Sequence, residues 1–257
     1  MHFLLNFFKL LSHKPLVSLD ISTGKYRIKT ADNVKELYMA FALRSECFQI
    51  QSLPILPIEF DRFDAECDHL IVINNDTGNV CGTYRLRSSL YHSKFYSESE
   101  FKIDNFLATE GLKLELGRAC IHPDHRNGVA MDILWKGLAA YIQKTNSRYL
   151  FGTSSIMQTT PKTIQSLTKY FQEKNYYSHD WDIHPTDSYA CHLPSSSLSE
   201  HKNISEIVPP LLRGYFSAGA KLYGEPAFDK DFDCYDYFTV LDMEKVNPSF
   251  ARRYLKL

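Results

Sequence analysis

The run LKLELGRACI, Leu112–Ile121, followed at once by HPDHRNGVA, constrains this chain more than any other stretch. Its apolar residues suit a buried strand, yet it carries a carboxylate, Glu115, and a guanidinium, Arg118. Side chains three apart in a regular strand point to opposite faces. Gly117 lies between the two charges, and glycine inside a strand often marks a β-bulge. A bulge there adds one residue to the count and turns both charges toward one cleft. It also frees a backbone N–H, near Gly117 to Cys120, to hold a carbonyl oxygen that gains negative charge. The same run reads equally as a plain strand in which Glu115 and Arg118 form a structural ion pair.

The turn narrows the choice. Arg126, Asn127 and Gly128 lead into GVAMDILWKGLAAYIQKT, an amphipathic helix with Ile133, Leu134, Leu138, Tyr141 and Ile142 on one side. A helix start presents free N–H groups and a positive dipole end, which suit phosphate. With Asp124 as cap, the turn is also an ordinary strand-to-helix connection. Strand, bulge and phosphate-receiving turn in succession are more specific than any one of them.

Elsewhere, TADNVKELYMAFALRSECFQI predicts a helix capped by Asp32, followed by a proline-rich loop. HLIVINNDTGNVCGTYRLR predicts a hairpin turning at Asn75–Asn79. RYLFGTSSI is a strand, TTPKTIQSLTKYFQEK and PPLLRGYFSAGAKLYG are helices, and DCYDYFTVLDM is a closing strand. The order predicts an α/β fold with a mixed sheet flanked by helices. Residues 25–257 are expected to form one domain, with a loop insertion over about 178–208.

The first 24 residues stand apart as an apolar segment. MHFLLNFFKLL is interrupted by Asn6 and Lys9 and is shorter than the about 20 apolar residues of a spanning helix. It lacks the cleavage site of a secretory signal. It reads as a helix that packs on the domain or lies on a membrane surface.

The 257 residues are 44% hydrophobic and 23% charged, enough for a sizeable soluble core. A net charge of -1 gives no field for nucleic acid. The six cysteines, Cys47, Cys67, Cys81, Cys120, Cys191 and Cys234, form no CxxC pair. Their placement in apolar runs suits reduced thiols in a cytosolic protein. His122 and His125 lack a third metal ligand. Asp61, Asp64, Glu66 and Asp68 lack the glycine and closing glutamate of a calcium loop. No metal is expected. Cys120 offers a nucleophile for covalent catalysis, but a buried inert thiol is commoner in such a strand.

These features together resemble the Gcn5-related N-acetyltransferase (GNAT) superfamily, whose pyrophosphate loop follows a bulged strand. Arg44, the DRFD motif with Asp61 and Asp64, Arg85 in GTYRLR, and Glu115-x-x-Arg118 are similar to the set in acyl-homoserine-lactone synthases. FDAECDHLIV, ELGRACIHPDHRNG, LLRGYFSAGAKLYGEPAFD and VLDMEKVNPSFARR resemble more closely the bacterial ornithine-acyl carrier protein N-acyltransferase family. That resemblance runs from about Tyr26 to Arg253, with His125 where an aromatic residue is more usual.

The resemblance implies transfer of a 3-hydroxy long-chain acyl group from acyl carrier protein to the α-amine of ornithine, giving lyso-ornithine lipid. Acyl-CoA is a substitute donor in vitro, and no cofactor is implied. Glu115 is then the base, directly or through water, and Arg118 orients Glu115 or the acyl group. Backbone amides at Gly117 to Cys120 hold the thioester oxygen, and Arg126, Asn127 and Gly128 take the phosphopantetheine arm. Arg44 and Arg85 are candidates for the amino acid carboxylate; Asp61 and Asp64 bind the amine or order their loop. From Arg118 to Arg148, five basic residues (Arg118, Arg126, Lys136, Lys144, Arg148) face two acids (Asp124, Asp132), which suits an acidic carrier protein. The implied location is the cytoplasm, in contact with the inner face of the membrane. Another acceptor amine (glycine, lysine or homoserine-type) and a non-catalytic acyl-binding module remain the alternatives.

Overall fold

The structure, a computed structural model, describes residues 10, 12–48, 59–157, 159–194 and 204–255. The apolar residues Phe3, Leu4, Phe7, Phe8 and Leu11, most of the proline-rich loop and residues 195–203 of the long loop lie outside the described residues. Ten strands are numbered in chain order. They are β1 Asp20–Thr23, β2 Tyr26–Thr30, β3 Asp68–Asn74, β4 Val80–Ser88 and β5 Phe101–Lys102, then β6 Leu112–Ile121, β7 Ser147–Met157, β8 His184–Pro185, β9 Lys221–Asp229 and β10 Cys234–Asp242. The helices are α1 Val34–Phe48, α2 Asp104–Leu107, α3 Val129–Thr145, α4 Pro161–Glu173, α5 Pro210–Ala218 and α6 Pro248–Tyr254. This is an α/β protein with its sheet flanked by helices, the class read from the sequence.

The chain divides into two compact units where the sequence suggested one domain. The first holds the residues up to Tyr91, then Leu114–Asn146 and the end of α6; the second holds His92–Lys113 and Ser147–Arg253. In the first unit β1, β2, β3, β4 and β6 pair in that order, each antiparallel to the next. A boundary at residue 24 would therefore cut the β1–β2 hairpin. The backbone N–H groups of Leu16 and Val17 also donate to the Asp68 carboxylate at 2.8 and 2.9 Å, which ties residues before β1 to β3.

Strand alternation sorts this sheet into two faces. On one, α3 lies against Ile28 and Leu70. A Cβ at Gly137 would come within 2.5 Å of Ile28 Cγ1, so the helix can approach this closely only with glycine there. On the other face α1 buries Leu37, Ala40, Phe41 and Leu43 against Ala31, Ile71 and Leu10. Every residue of β4 is buried, including Arg85 and Arg87, which share the α1 side. The cap of α1 is Asn33 rather than Asp32: Asn33 Oδ1 accepts from Glu36 N at 3.0 Å, while Glu36 accepts from Asp32 N.

In the second unit β7, β10 and β9 pair antiparallel, and β5 pairs with β8. Phe106, Phe151 and Phe238 pack at its centre. The helix expected over PPLLRGYFSAGAKLYG stops at Ala218, where Gly219 turns the chain at φ 106°, and Lys221–Asp229 is a strand. Gly224 within it has φ 71°, and a Cβ there would lie 2.3 Å from the Ile183 carbonyl oxygen. The long loop is tied down in part, through β8. No helix among the described residues is long and apolar enough to cross a membrane.

Candidate active site

The bulge in β6 is real and lies one residue beyond Gly117. Arg85 pairs with Gly117 and Thr83 with Cys120, so the single residue Tyr84 faces two, Arg118 and Ala119. Arg118 takes the left-handed conformation, φ 50°, which costs a non-glycine residue roughly 1–2 kcal/mol. The extra residue changes the alternation. Glu115 and Gly117 share the face of Arg87 and Arg85, their ladder partners. Arg118 reaches that same face, because its guanidinium meets Arg85 at one oxygen of Asp61.

There the side chains close a ring of six alternating charges. Arg44 pairs with Glu59, and Glu59 accepts from Arg118 Nε at 3.0 Å. Arg118 Nη2 donates to Asp61 Oδ2 at 3.0 Å, and the same oxygen accepts from Arg85 Nη1 at 2.7 Å. Arg85 Nη1 also lies 3.3 Å from Asp64 Oδ1. Asp64 completes the circuit by accepting two bonds from Arg44, at 2.7 and 3.0 Å. Five members were singled out in the sequence; Glu59 was not, because it follows the proline-rich loop with no motif around it.

Burial decides what each member can do. Arg44 and Asp64 are fully enclosed, and burial alone would push the Asp64 carboxyl up. Arg44 and Arg85 outweigh it and hold that group well below the usual carboxylate range. Burial likewise disfavours the charged Arg85, but Asp64 and Asp61 raise it well above its ordinary value. Arg44 and Arg85 thus grip carboxylates, as their chemistry suggests, but those of the chain itself. The ring opens toward solvent at Asp61 and Arg118, whose side chains are 24% and 13% exposed. Beneath it, His69 donates from Nε2 to the Asp64 carbonyl at 2.9 Å, and burial lowers its pKa to about 4.

Glu115 is buried, 5% exposed, directly across the ladder from Arg87. Arg87 reaches Glu66 at 3.3 Å. The guanidiniums of Arg62, Arg85 and Arg87 lie over the Phe63 ring at 4.9, 5.7 and 5.4 Å, so an aromatic face helps hold this cationic wall.

The turn after β6 is open. Pro123, Asp124 and Arg126 to Val129 are exposed. Gly128 has φ 87°, and Asn127 Oδ1 accepts from Val129 N at 3.1 Å, which starts α3. Arg126 Nε donates to the Ile121 carbonyl at 2.9 Å. His122 faces Glu46 at 3.2 Å and Tyr26 bonds His125 Nδ1 at 3.0 Å, so each histidine has a local partner. One group with metal-ligand spacing among the described residues, Glu100, Asp229 and Asp236, lies in the second unit. There Asp236 accepts from Ser155, and Asp229 from two backbone N–H groups.

Residues 24–136 match the family model "Acetyltransferase (GNAT) domain". The L-ornithine N(alpha)-acyltransferase of Brucella abortus is 29% identical over 206 residues, 76% of this chain and 73% of that protein. The enzyme of the same name from Rhodobacter capsulatus is 27% identical over 90% of this chain and 95% of its own length. Among solved structures, FeeM, an N-acyl amino acid synthase from uncultured soil microbes, is 9% identical with a TM-score of 0.49, covering 93% of this chain and 97% of that one.

The fold, the bulged strand and the family match define a GNAT-type acyltransferase. Within that class the chain is similar, over most of its length, to four L-ornithine N(alpha)-acyltransferases at 27–29% identity.

Proposed function

We propose that this enzyme moves a 3-hydroxy long-chain acyl group from acyl carrier protein to the α-amine of ornithine, forming lyso-ornithine lipid. The relatives' names support the acceptor, and the observation that carries the mechanism is the bulge that sets Arg118 beside the face of Glu115. The donor's phosphopantetheine phosphate sits at the turn of Arg126, Asn127 and Gly128, next to the positive end of α3. Its thioester carbonyl lies at the bulge, held by amides between Gly117 and Cys120.

The acceptor meets the open side of the charge ring. Asp61 takes its ammonium and Arg118 its carboxylate, two groups that the ring leaves partly exposed. Arg44, Asp64 and Arg85 hold that rim in place from within. Glu115 removes one proton of the α-ammonium, the lone pair attacks the carbonyl, and the tetrahedral intermediate breaks its C–S bond, the sulfur taking the second N–H proton and leaving as the thiol. No cofactor takes part. The product is a lipid, and the apolar N-terminal residues suit transient contact with the inner face of the membrane.

The test is direct. The purified chain is incubated with 3-hydroxyacyl carrier protein and equal amounts of ornithine, lysine and glycine, and the extract is read by mass spectrometry. N-acylornithine as the main product is expected. A different acylated amine would reassign the acceptor, and no acylated amine at all would leave only an acyl-binding module.

A further inference from the structure

Two cysteines that the proposed reaction does not use meet beside its site. Cys47, near the end of α1, and Cys120, two residues past Arg118 in β6, come together where α1 packs on the sheet. Cys47 Sγ also lies 3.5 Å from the Ile121 carbonyl oxygen, the same oxygen that takes Arg126 Nε at 2.9 Å. Both thiols are free and half-buried, whereas Cys67, Cys81 and Cys234 are buried. Both pack at the margin of the cluster that joins α1 to the sheet.

The pair is polarised. The neighbouring Cys120, followed by Arg126, outweighs burial and lowers the Cys47 pKa to about 7. The neighbouring Cys47 and burial push the Cys120 thiol up. One sulfur is thus ready to become a thiolate and the other to keep its proton, the arrangement of an attacking and a resolving cysteine. By contrast, burial pushes Cys67 to about 12 and Cys81 to about 11.

We propose that Cys47 and Cys120 form a reversible disulfide when the protein meets a hydroperoxide, and that this bond tethers α1 to the bulged strand. The Cys47 thiolate attacks the peroxide: an S–O bond forms, the O–O bond breaks, and hydroxide leaves, giving a sulfenic acid. Cys120 then attacks that sulfur; its proton leaves with the departing hydroxide as water. Two thiols are oxidised and one peroxide is reduced. The bond draws the sulfurs to about 2.05 Å and moves Cys120, so the bulge amides and the Arg126 anchor shift. Loss of acyl transfer on oxidation rests on the function proposed above; the bond itself does not.

The full chain, folded by circular dichroism, is treated with one equivalent of hydrogen peroxide, alkylated, digested and read by mass spectrometry. The expected product is a Cys47 peptide joined to a Cys120 peptide, lighter by two hydrogens and split by dithiothreitol. Without peroxide, Cys47 should react with iodoacetamide roughly tenfold faster than Cys191 at neutral pH. Recovery of Cys47 only as a thiol or sulfinic acid, or joined to another cysteine, overturns the pairing. Acyl transfer should fall at least tenfold on oxidation and return with dithiothreitol, while Cys47→Ser resists peroxide. A linked peptide with an unchanged rate would retain the disulfide and remove its control of the reaction.

Discussion

Arg118 donates to Asp61 at 3.0 Å, and this pair is the most exposed link in an otherwise enclosed circuit of charge. Arg118 reaches Asp61 from a left-handed backbone position that only the bulge creates. The strained residue and the accessible acid therefore define one feature, the open side of the ring.

Asp61→Asn keeps the shape of that acid and removes its charge. A charge-assisted hydrogen bond contributes about 1.5–3 kcal/mol, so KM for ornithine should rise roughly ten- to a hundredfold, with a smaller change for the acyl donor. Steady-state kinetics against each substrate checks this. An unchanged KM for ornithine alongside a lowered melting temperature would reduce Asp61 to a structural member.

Glu115→Gln keeps the shape and removes the carboxylate proposed as the base. General-base catalysis contributes about 10²–10⁴-fold, and the rate at neutral pH should fall by that order. It should recover in part as pH rises, because solution then supplies free amine. Rate against pH and melting temperature are measured together. A stable variant with a near-normal rate would take Glu115 out of the mechanism.

Arg126→Ala should raise KM for acyl carrier protein and leave that for ornithine nearly unchanged. Arg126 is exposed but anchored to the Ile121 carbonyl, so the variant's melting temperature is recorded as well. Equal effects on both substrates would contradict a donor site at this turn.

His69 makes stability depend on pH. Burial lowers its native pKa to about 4, against roughly 6.5 unfolded, so the unfolded chain binds the extra proton in that window. The contribution is complete above about pH 6.5 and is lost as pH falls toward 4, about 3 kcal/mol in all. Burial shifts His13 in the same direction. His69→Gln should flatten the fall in melting temperature between pH 6.5 and 4; an unchanged slope would place its source elsewhere.

Much of this was legible in the chain. β6 has the bounds read from LKLELGRACI, and the β3–β4 hairpin turns at Asn75–Asn79, as read from the sequence. Arg44, Asp61, Asp64, Arg85 and Arg118 were identified together through the resemblance, and they do converge. Their division of labour was not legible, because burial is a tertiary property: nothing in the sequence says that Arg44 is fully enclosed while Asp61 is not. Gly117 pointed to the bulge but not to its left-handed residue, since arginine seldom takes a positive φ. β9 was hidden because Gly224 and Pro226 interrupt its pattern. The pairing of Cys47 with Cys120 depends on α1 meeting β6, which no spacing encodes.

Closure of the ring has a consequence for redesign. Three arginines and three acids sum to no net charge. Removing Asp61 opens the circuit into five members that end in guanidiniums, Arg85 and Arg118, with one positive charge in excess. Removing Arg118 leaves carboxylates at both ends, Glu59 and Asp61, and one negative charge in excess. One substitution thus sets the polarity of the vacancy, turning a neutral socket into one that attracts anions or one that attracts cations.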